Sequence, residues 1–335
     1  MTRVAINGLG RIGRCTFKVL LDTPELELVA ANDLVSLDNL AYLLRYDTVY
    51  GRYGKSVDVR DDRLVIDGTA VPVFSEKSPE DLPWEELGVE MVFECTGVFN
   101  KEEDLQRHLQ AGAEKIILSA PAKSDSIPTV VHGVNQDNGV EKMVSCASCT
   151  TNCIAPVMEV LERRVGVEKA LMTTIHAYTS TQAIVDGPSK KFRRGRAAAA
   201  NFVPTTTGAA LATAKALPAL QGKFDGVAVR APVPVGSVAD IVCLTRRNTS
   251  PQELKQIFCE EVETERYQGI LGVSEEPIVS SDIIGDARAS IVDLEMIQVL
   301  DGNLIKLMSW YDNEWGYASQ MVRYAMAQIR EPAAT

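Results

Sequence analysis

The sequence predicts an α/β protein whose first half is a doubly wound parallel sheet. Three observations carry that expectation. A short apolar strand pattern at residues 3–7 runs straight into the turn Gly8-Leu-Gly-Arg-Ile-Gly13, then into helical apolar spacing at Phe17, Val19, Leu20 and Leu21. Strand and helix patterns then alternate along the chain, as in βαβ units. At 335 residues the chain is also long enough for two domains of ordinary size.

Each element has a local reason. After the first helix, residues 26–31 form a second apolar strand ending in Asn32-Asp33. A glycine pattern that follows a strand, opens a helix and precedes an acidic residue by 20 positions is the fingerprint of a Rossmann-type dinucleotide site. Gly8, Gly10 and Gly13 let the backbone turn tightly and approach a pyrophosphate, and the helix start offers free N–H groups and a partial positive charge. Asp33 is placed to accept from both ribose hydroxyls of NAD and to repel the extra phosphate of NADP. Residues 55–59, 64–66 and 71–74 alternate between turn-forming Asp and Gly residues and read as antiparallel hairpins inserted in the parallel sheet. A strand at 89–95 leads to Thr96-Gly97, a helix covers 102–113, and a strand at 115–119 closes in Ala120-Pro121. Thr96, Gly97 and Ser119 are strand-end residues, where open parallel sheets bind ligands.

Composition bounds the function. The chain is 46% hydrophobic and 24% charged, without a low-complexity tract. No apolar run reaches the roughly 20 residues that span a bilayer, and the strand pattern begins too early for a signal peptide, so a cytoplasmic protein is expected. Lys plus Arg number 34 against 45 Asp plus Glu, a net charge of −11, which counts against nucleic acid as the main partner. Seven cysteines, an odd number, read as reduced thiols and not as a disulfide framework.

Chemistry concentrates in the second half. Residues 144–148 resemble a strand end and 150–164 have helical spacing, so Cys149 sits at a helix N-terminus, where the dipole favours a thiolate below the usual pKa of about 8.5. His176 ends an apolar strand, 169–175, and is the candidate base. Thiol, imidazole and a nicotinamide acceptor together imply aldehyde oxidation through a covalent thioester. Cys146 and Cys153 flank Cys149, but no fourth cysteine is near and the intervening Ser148, Thr150, Thr151 and Asn152 suit oxygen ligands better, so no metal is expected. His108, on the 102–113 helix, and His132, in a strand-like run at 129–133, read as structural. The run Lys190-Lys-Phe-Arg-Arg-Gly-Arg196 is open to reading as a solvated face, a nucleic-acid patch or a phosphate site. With the hydroxyl turn Thr205-Thr-Thr-Gly208 ahead of an alanine-rich helix, 209–216, and with Arg230 on an alternating strand, 227–233, a phosphorylated substrate or inorganic phosphate is the stronger reading.

These residues make the chain similar to the phosphorylating glyceraldehyde-3-phosphate dehydrogenases of glycolysis. The resemblance spans nearly the whole length, through Asn7–Gly13, Glu94–Gly97, Ser119–Ala122, Ala147–Cys153, His176–Thr179, Pro204–Gly208 and Trp310–Tyr317. It implies a dinucleotide-binding domain at 1–148 and an α+β catalytic domain with a mainly antiparallel sheet at 149–312. It further implies a C-terminal segment, 313–335, whose helix (320–330) packs back on the first domain. Cys149 would be the nucleophile and His176 the base. Gly8, Gly10, Arg11, Ile12, Gly13, Asp33, Lys77, Ser119 and Asn313 would hold NAD, Asn313 through the carboxamide. Ser148, Thr150, Thr207 and Gly208 would bind inorganic phosphate, and Thr179, Arg194 and Arg230 the phosphate of glyceraldehyde 3-phosphate or its product. A homotetramer is implied as well. Departures from the family pattern are Lys77 for arginine, Cys146 for asparagine, and Val233, Val235 and Gly236 in place of two polar residues and a valine. Erythrose-4-phosphate dehydrogenase, which lacks the phosphate cradle, is the nearest rival; an acyl-phosphate reductase such as aspartate-semialdehyde dehydrogenase fits the motifs poorly. A nucleotide-sensing or RNA-binding role without catalysis is the alternative from another class.

Overall fold

A computed structural model describes residues 1–135 and 139–330. The chain divides into two compact units, one of residues 1–130, 139–147 and 321–330, the other of 131–135 and 148–320. The expected segment boundary at 313 therefore falls inside the second unit, and residues 331–335 of that segment lie outside the described residues.

The first unit runs β1 (Thr2–Asn7), α1 (Arg11–Leu20), β2 (Leu26–Asn32), α2 (Leu37–Arg45), β3 (Tyr46–Asp47), β4 (Gly51–Arg52), β5 (Val57–Arg60), β6 (Arg63–Ile66) and β7 (Thr69–Phe74). It continues with β8 (Met91–Glu94), α3 (Glu102–Gln110), β9 (Lys115–Leu118) and β10 (Met143–Ser145). One eight-stranded sheet has the order β10-β9-β8-β1-β2-β7-β6-β5. From β10 through β7 neighbours are parallel, which is the doubly wound arrangement with its order reversing between β1 and β8. The antiparallel pairs β5/β6 and β6/β7 extend this sheet at one edge instead of interrupting it, and β7 also serves as the third parallel strand through Ala31↔Val73 and Asn32↔Phe74.

A buried polar network ties the strand ends together. Asn7 Nδ2 donates to Glu94 Oε2 (2.6 Å), and Asn32 Nδ2 donates to Asn7 Oδ1 (2.8 Å). Trp84 Nε1 donates to His108 Nδ1 (3.0 Å), which leaves Nε2 as the protonated nitrogen facing Glu94 Oε2 at 3.1 Å. Glu94 also accepts from the Thr96 amide (2.8 Å) and hydroxyl. His108 and Glu94 are fully buried, so the pairing satisfies groups that would otherwise carry a large desolvation cost. His132 differs from expectation: residues 132–134 turn, and the isolated bridge among the described residues of this stretch is Thr129↔Ser145. Gly133 has φ +78°, and Arg266 holds the Gly133 and Val134 carbonyls, so the segment is clamped as a turn.

The second unit runs α4 (Cys149–Arg164), β11 (Val167–Ala177), β12 (Val203–Thr206), α5 (Ala209–Ala216), β13 (Phe224–Ala231), β14 (Ser237–Thr245), α6 (Pro251–Val262), β15 (Leu271–Ser274), β16 (Ser290–Leu300), β17 (Leu304–Tyr311) and α7 (Trp315–Arg330). Its seven-stranded sheet has the order β12-β13-β11-β14-β17-β16-β15. Four of the six neighbouring pairs are antiparallel; β11/β13 and β15/β16 are parallel. Ile154, Val157, Met158 and Leu161 of α4 bury against Ile241, Cys243, Val292, Ile305 and Leu307 of the sheet, which fixes the helix and therefore the residue at its start. Helix α7 starts five residues before the expected 320, and its later part belongs to the first unit. There Lys115 Nζ donates to Gln328 Oε1 (2.5 Å) and lies 5.5 Å over the Tyr324 ring.

Candidate active site

Cys149 is the first residue of α4 and Ser148 is its N-cap, the Ser148 hydroxyl accepting from the Thr151 amide at 3.1 Å. The preceding Ala147 has φ +55°, a region that costs a residue with a side chain energy and that clusters at functional turns. His176, near the end of β11, brings Nε2 to 3.4 Å from Cys149 Sγ. Its direct cross-strand partner on β13 is Arg230, so sheet register alone delivers the cation to the imidazole. Ala177 O lies 2.7 Å from His176 Nδ1 and accepts its proton, leaving the Nε2 lone pair toward the sulfur. With Nδ1 protonated, Arg230 Nη1, 2.6 Å away, has its acceptor in Ala177 O at 2.9 Å.

Electrostatics follow from this packing. Burial, with Arg230 next in importance, takes His176 from 6.5 down to about 3, so at neutral pH it is an unprotonated base. For Cys149 burial pushes the thiol up, opposed by the Arg230 charge, the Thr150 hydroxyl and helix-start amides. Burial of the sulfur thus works against the helix-start effect expected from the sequence. The N-terminal amides do act in the expected direction, but desolvation of the sulfur exceeds them. Nε2 of His176 is the nitrogen placed to exchange a proton with the sulfur.

Polar donors surround the pair. Thr150 Oγ1 meets the buried Tyr311 hydroxyl at 2.9 Å, and Tyr311 meets Thr174 Oγ1 at 2.8 Å. Thr179 and Thr181 hydroxyls lie 2.8 Å apart, Arg194 Nη1 donates to Thr181 (3.3 Å) and Arg194 Nε to Thr205 (3.1 Å). Arg194 is close enough to lower the imidazole's pKa further. Thr207 Oγ1 accepts from the Ala209 amide (3.2 Å) and Gly208 caps α5. Sequence reasoning missed Thr181 and Tyr311. The first was legible in the hydroxyl-rich run after His176, whereas only the fold brings Tyr311 of β17 to the start of α4.

In the first unit the glycine turn has the shape of a phosphate cradle. Gly8 has φ +93°, and a side chain on it would meet the Thr96 backbone at 2.7 Å. At Gly13 an added Cβ would lie 1.9 Å from the Gly8 carbonyl, so only glycine permits this strand–helix approach. Gly10 has open space within 4 Å of such an atom, and it caps α1 with no side chain, leaving the helix-start amides to a ligand. Asp33 Oδ2 accepts from the Leu9 amide (2.6 Å) and Oδ1 from the Val35 amide (2.9 Å), which aligns the carboxylate at the end of β2. Arg11 pairs with Asp47 (2.5 Å) and faces Tyr50; Ile12 is half-buried and Lys77 exposed. Ser119 lies close enough to the buried Cys95 thiol to offset part of the rise that burial gives it. In the second unit Asn313 Oδ1 accepts from the Gly236 amide (3.2 Å) and the Ser237 hydroxyl (2.9 Å), so the amide NH₂ is the end left to donate. Among the described residues no group of three or more His, Cys, Asp or Glu side chains is arranged to hold a metal ion.

A doubly wound dinucleotide domain and a separate thiol–imidazole centre beside arginines define a class, the NAD-dependent oxidoreductases that act on aldehydes. Two family profiles match the chain: glyceraldehyde 3-phosphate dehydrogenase, NAD binding domain, over residues 2–102, and glyceraldehyde 3-phosphate dehydrogenase, C-terminal domain, over residues 148–313. The chain belongs to the glyceraldehyde-3-phosphate dehydrogenase family. It is 48% identical over 324 residues to glyceraldehyde-3-phosphate dehydrogenase 2 of Streptomyces avermitilis, covering 96% of each chain. It is 47% identical over 326 residues to the glyceraldehyde-3-phosphate dehydrogenase of Geobacillus stearothermophilus, covering 96% of this chain and 97% of that one.

Proposed function

We propose that this chain oxidises D-glyceraldehyde 3-phosphate with NAD and inorganic phosphate, reversibly, to 1,3-bisphosphoglycerate. The observation that carries the reading is the 3.4 Å approach of Cys149 Sγ to the unprotonated Nε2 of His176. Sulfur attacks the aldehyde carbon while Nε2 takes the thiol proton and passes it to the new alkoxide oxygen, giving a thiohemiacetal and a free Nε2. Nε2 then takes the hydroxyl proton as the C–H bond breaks, leaving a thioester. NAD, when bound, supplies the two-electron acceptor for that C–H bond. Phosphate attacks the thioester carbon, and sulfur leaves with a proton returned from His176. Amides at the start of α4 face the developing oxyanion.

Ser148, Thr150, Thr207 and Gly208 are the proposed inorganic phosphate ligands, and Thr179, Arg194 and Arg230 those of the substrate phosphate, with Thr181 added from its contact with Arg194. Gly8, Gly10, Arg11, Ile12, Gly13, Asp33, Lys77, Ser119 and Asn313 are the proposed NAD residues. The Asp33 carboxylate supports NAD over NADP, because a 2′-phosphate there would meet like charge. A homotetramer is proposed from the family likeness. It is supported by Ile184 and Phe192, which are 87% and 88% exposed in the basic loop and need cover. A cytoplasmic location is proposed on the same likeness. Among the described residues no helix is long and apolar enough to cross a membrane. NADH formation from glyceraldehyde 3-phosphate and NAD, with and without inorganic phosphate, tests the reading. Turnover indifferent to phosphate would instead indicate a hydrolytic relative.

A further inference from the structure

We infer that His108 is a positioning residue for the dinucleotide, acting through Glu94 on the turn that cradles it. This rests on the reading of the glycine turn at 8–13 as the NAD site. Neither side chain takes part in the chemical steps, yet both are fully buried and polar. They sit in a hydrogen-bond chain whose polarity is set from both ends. Trp84 Nε1–H can only donate, so His108 Nδ1 accepts (3.0 Å) and Nε2 carries the ring proton toward Glu94 Oε2 (3.1 Å). At the other end the Glu76 backbone orients the Asn32 amide. Its N–H donates to Asn32 Oδ1 (2.8 Å), and Asn32 Nδ2 donates to its carbonyl (2.9 Å). Asn32 Nδ2 also donates to Asn7 Oδ1 (2.8 Å), which turns the Asn7 Nδ2 protons to Glu94 Oε2 (2.6 Å). The Thr96 amide (2.8 Å) and hydroxyl donate to Glu94 Oε1. Glu94 thus accepts four bonds and donates none, the pattern of a carboxylate. Asn7 Nδ2 and His108 Nε2, 3.4 Å apart, are two donors converging on one oxygen.

What this carboxylate holds is the cradle. A Cβ on Gly8 would lie 2.7 Å from the Thr96 nitrogen, so the Thr96 backbone that Glu94 fixes is a wall of the turn. The Gly8 amide donates to the Asn32 carbonyl (2.8 Å), and the Cys95 amide to the Asn7 carbonyl (2.7 Å). Asn32 precedes Asp33 and Glu76 precedes Lys77, so the chain that starts at Trp84 and α3 ends beside two of the proposed NAD residues. The His108 ring bonds Trp84 and Glu94, and its effect on the cofactor is exerted through the carboxylate. Without the His108 donor a buried carboxylate is a bond short. Relief draws Asn7 and Thr96 off the positions that shape the turn.

The test is calorimetric titration of the full-length enzyme with NAD and with ADP-ribose, at a temperature where circular dichroism shows the variants folded. His108→Leu should raise both dissociation constants about tenfold, the scale of one hydrogen bond to a charged group. ADP-ribose should lose as much as NAD, because Asp33 and Lys77 serve the ribose and phosphate end. His108→Gln, whose Oε1 can accept from Trp84 and whose Nε2 can donate to Glu94, should restore both. In turnover the loss should appear in KM for NAD, with kcat retained at saturation. Glu94→Gln sets an NH₂ against the Asn7 and His108 donors and should also weaken NAD, less so when combined with His108→Leu, where one opposing donor is gone. It replaces His108→Leu should that variant not fold. Wild-type affinity in the folded variants, or a His108→Gln as weak as His108→Leu, would overturn the positioning role. So would a fall in kcat with NAD affinity unaltered. A wild-type enzyme that binds neither ligand would overturn the reading of the cradle itself.

Discussion

Gly236→Ala puts the unusual turn after Arg230 under direct test. Gly236 has φ +90°, and a Cβ there would lie 2.2 Å from the Ser280 carbonyl oxygen and 2.9 Å from its carbon. Both are backbone atoms, so relief requires moving a chain segment by about an ångström rather than rotating a side chain. The left-handed conformation alone costs a residue with Cβ about 1–3 kcal/mol, and overpacking adds about 1–3 kcal/mol. Gly285 supplies the control: its φ is +84°, but an added Cβ meets nothing within 4 Å. Gly285→Ala should therefore show the conformational cost alone, and Gly236→Ala that cost plus the clash. In thermal unfolding, with about 2–4 °C per kcal/mol as a guide for large domains, the Gly236 variant should melt several degrees below the Gly285 variant. Movement of the turn also withdraws the Gly236 and Ser237 donors from Asn313, so KM for NAD should rise in the first variant and not in the second. Equal melting temperatures and an unchanged KM would refute the reasoning. A residue with a Cβ, valine included, cannot sit at 236 in this turn as built.

Other outcomes follow from the same geometry. Arg230→Met removes the cation that lowers both titrations, so the Cys149 thiol should rise further and His176 should rise from about 3. Alkylation of Cys149 at neutral pH should then slow about tenfold for each unit the thiol rises, and a faster reaction would contradict the assignment. Because neutral His176 is buried, the unfolded chain binds a proton there more readily. Stability from this residue is complete above 6.5 and lost as pH falls toward about 3. His176→Asn should flatten the melting temperature's decline over that range, and a curve parallel to wild type would speak against it. Trp84→Phe leaves the buried His108 Nδ1 without its donor and should cost about 1–3 kcal/mol in denaturant unfolding. No loss there would mean that the network is not structural.

Much of this was legible in the sequence where a residue type has one physical use. Glycines at 8 and 13 are demanded by contacts that no Cβ could make, and the first strand and helix follow from them. Cys149 and His176 stood out as the thiol at a helix start and the histidine at a strand end, and the structure brings them together. Pairing direction was less legible: the alternation in β5–β7 marks strands but does not reveal that β7 joins β2 in parallel. The 129–133 run looked like a strand because its apolar residues do not announce the Arg266 clamp. Desolvation of Cys149 and the place of Tyr311 depend on tertiary burial, which no local pattern encodes.

The most direct test is to mix enzyme, NAD and glyceraldehyde 3-phosphate without inorganic phosphate and to determine the mass of the Cys149 peptide after acid quench. A burst of one NADH per site, with the phosphoglyceroyl group on Cys149 and its release on adding phosphate, is the expected result. Steady NADH formation without phosphate, or an acyl group absent from Cys149 while the burst occurs, would contradict a thioester mechanism that ends in phosphorolysis.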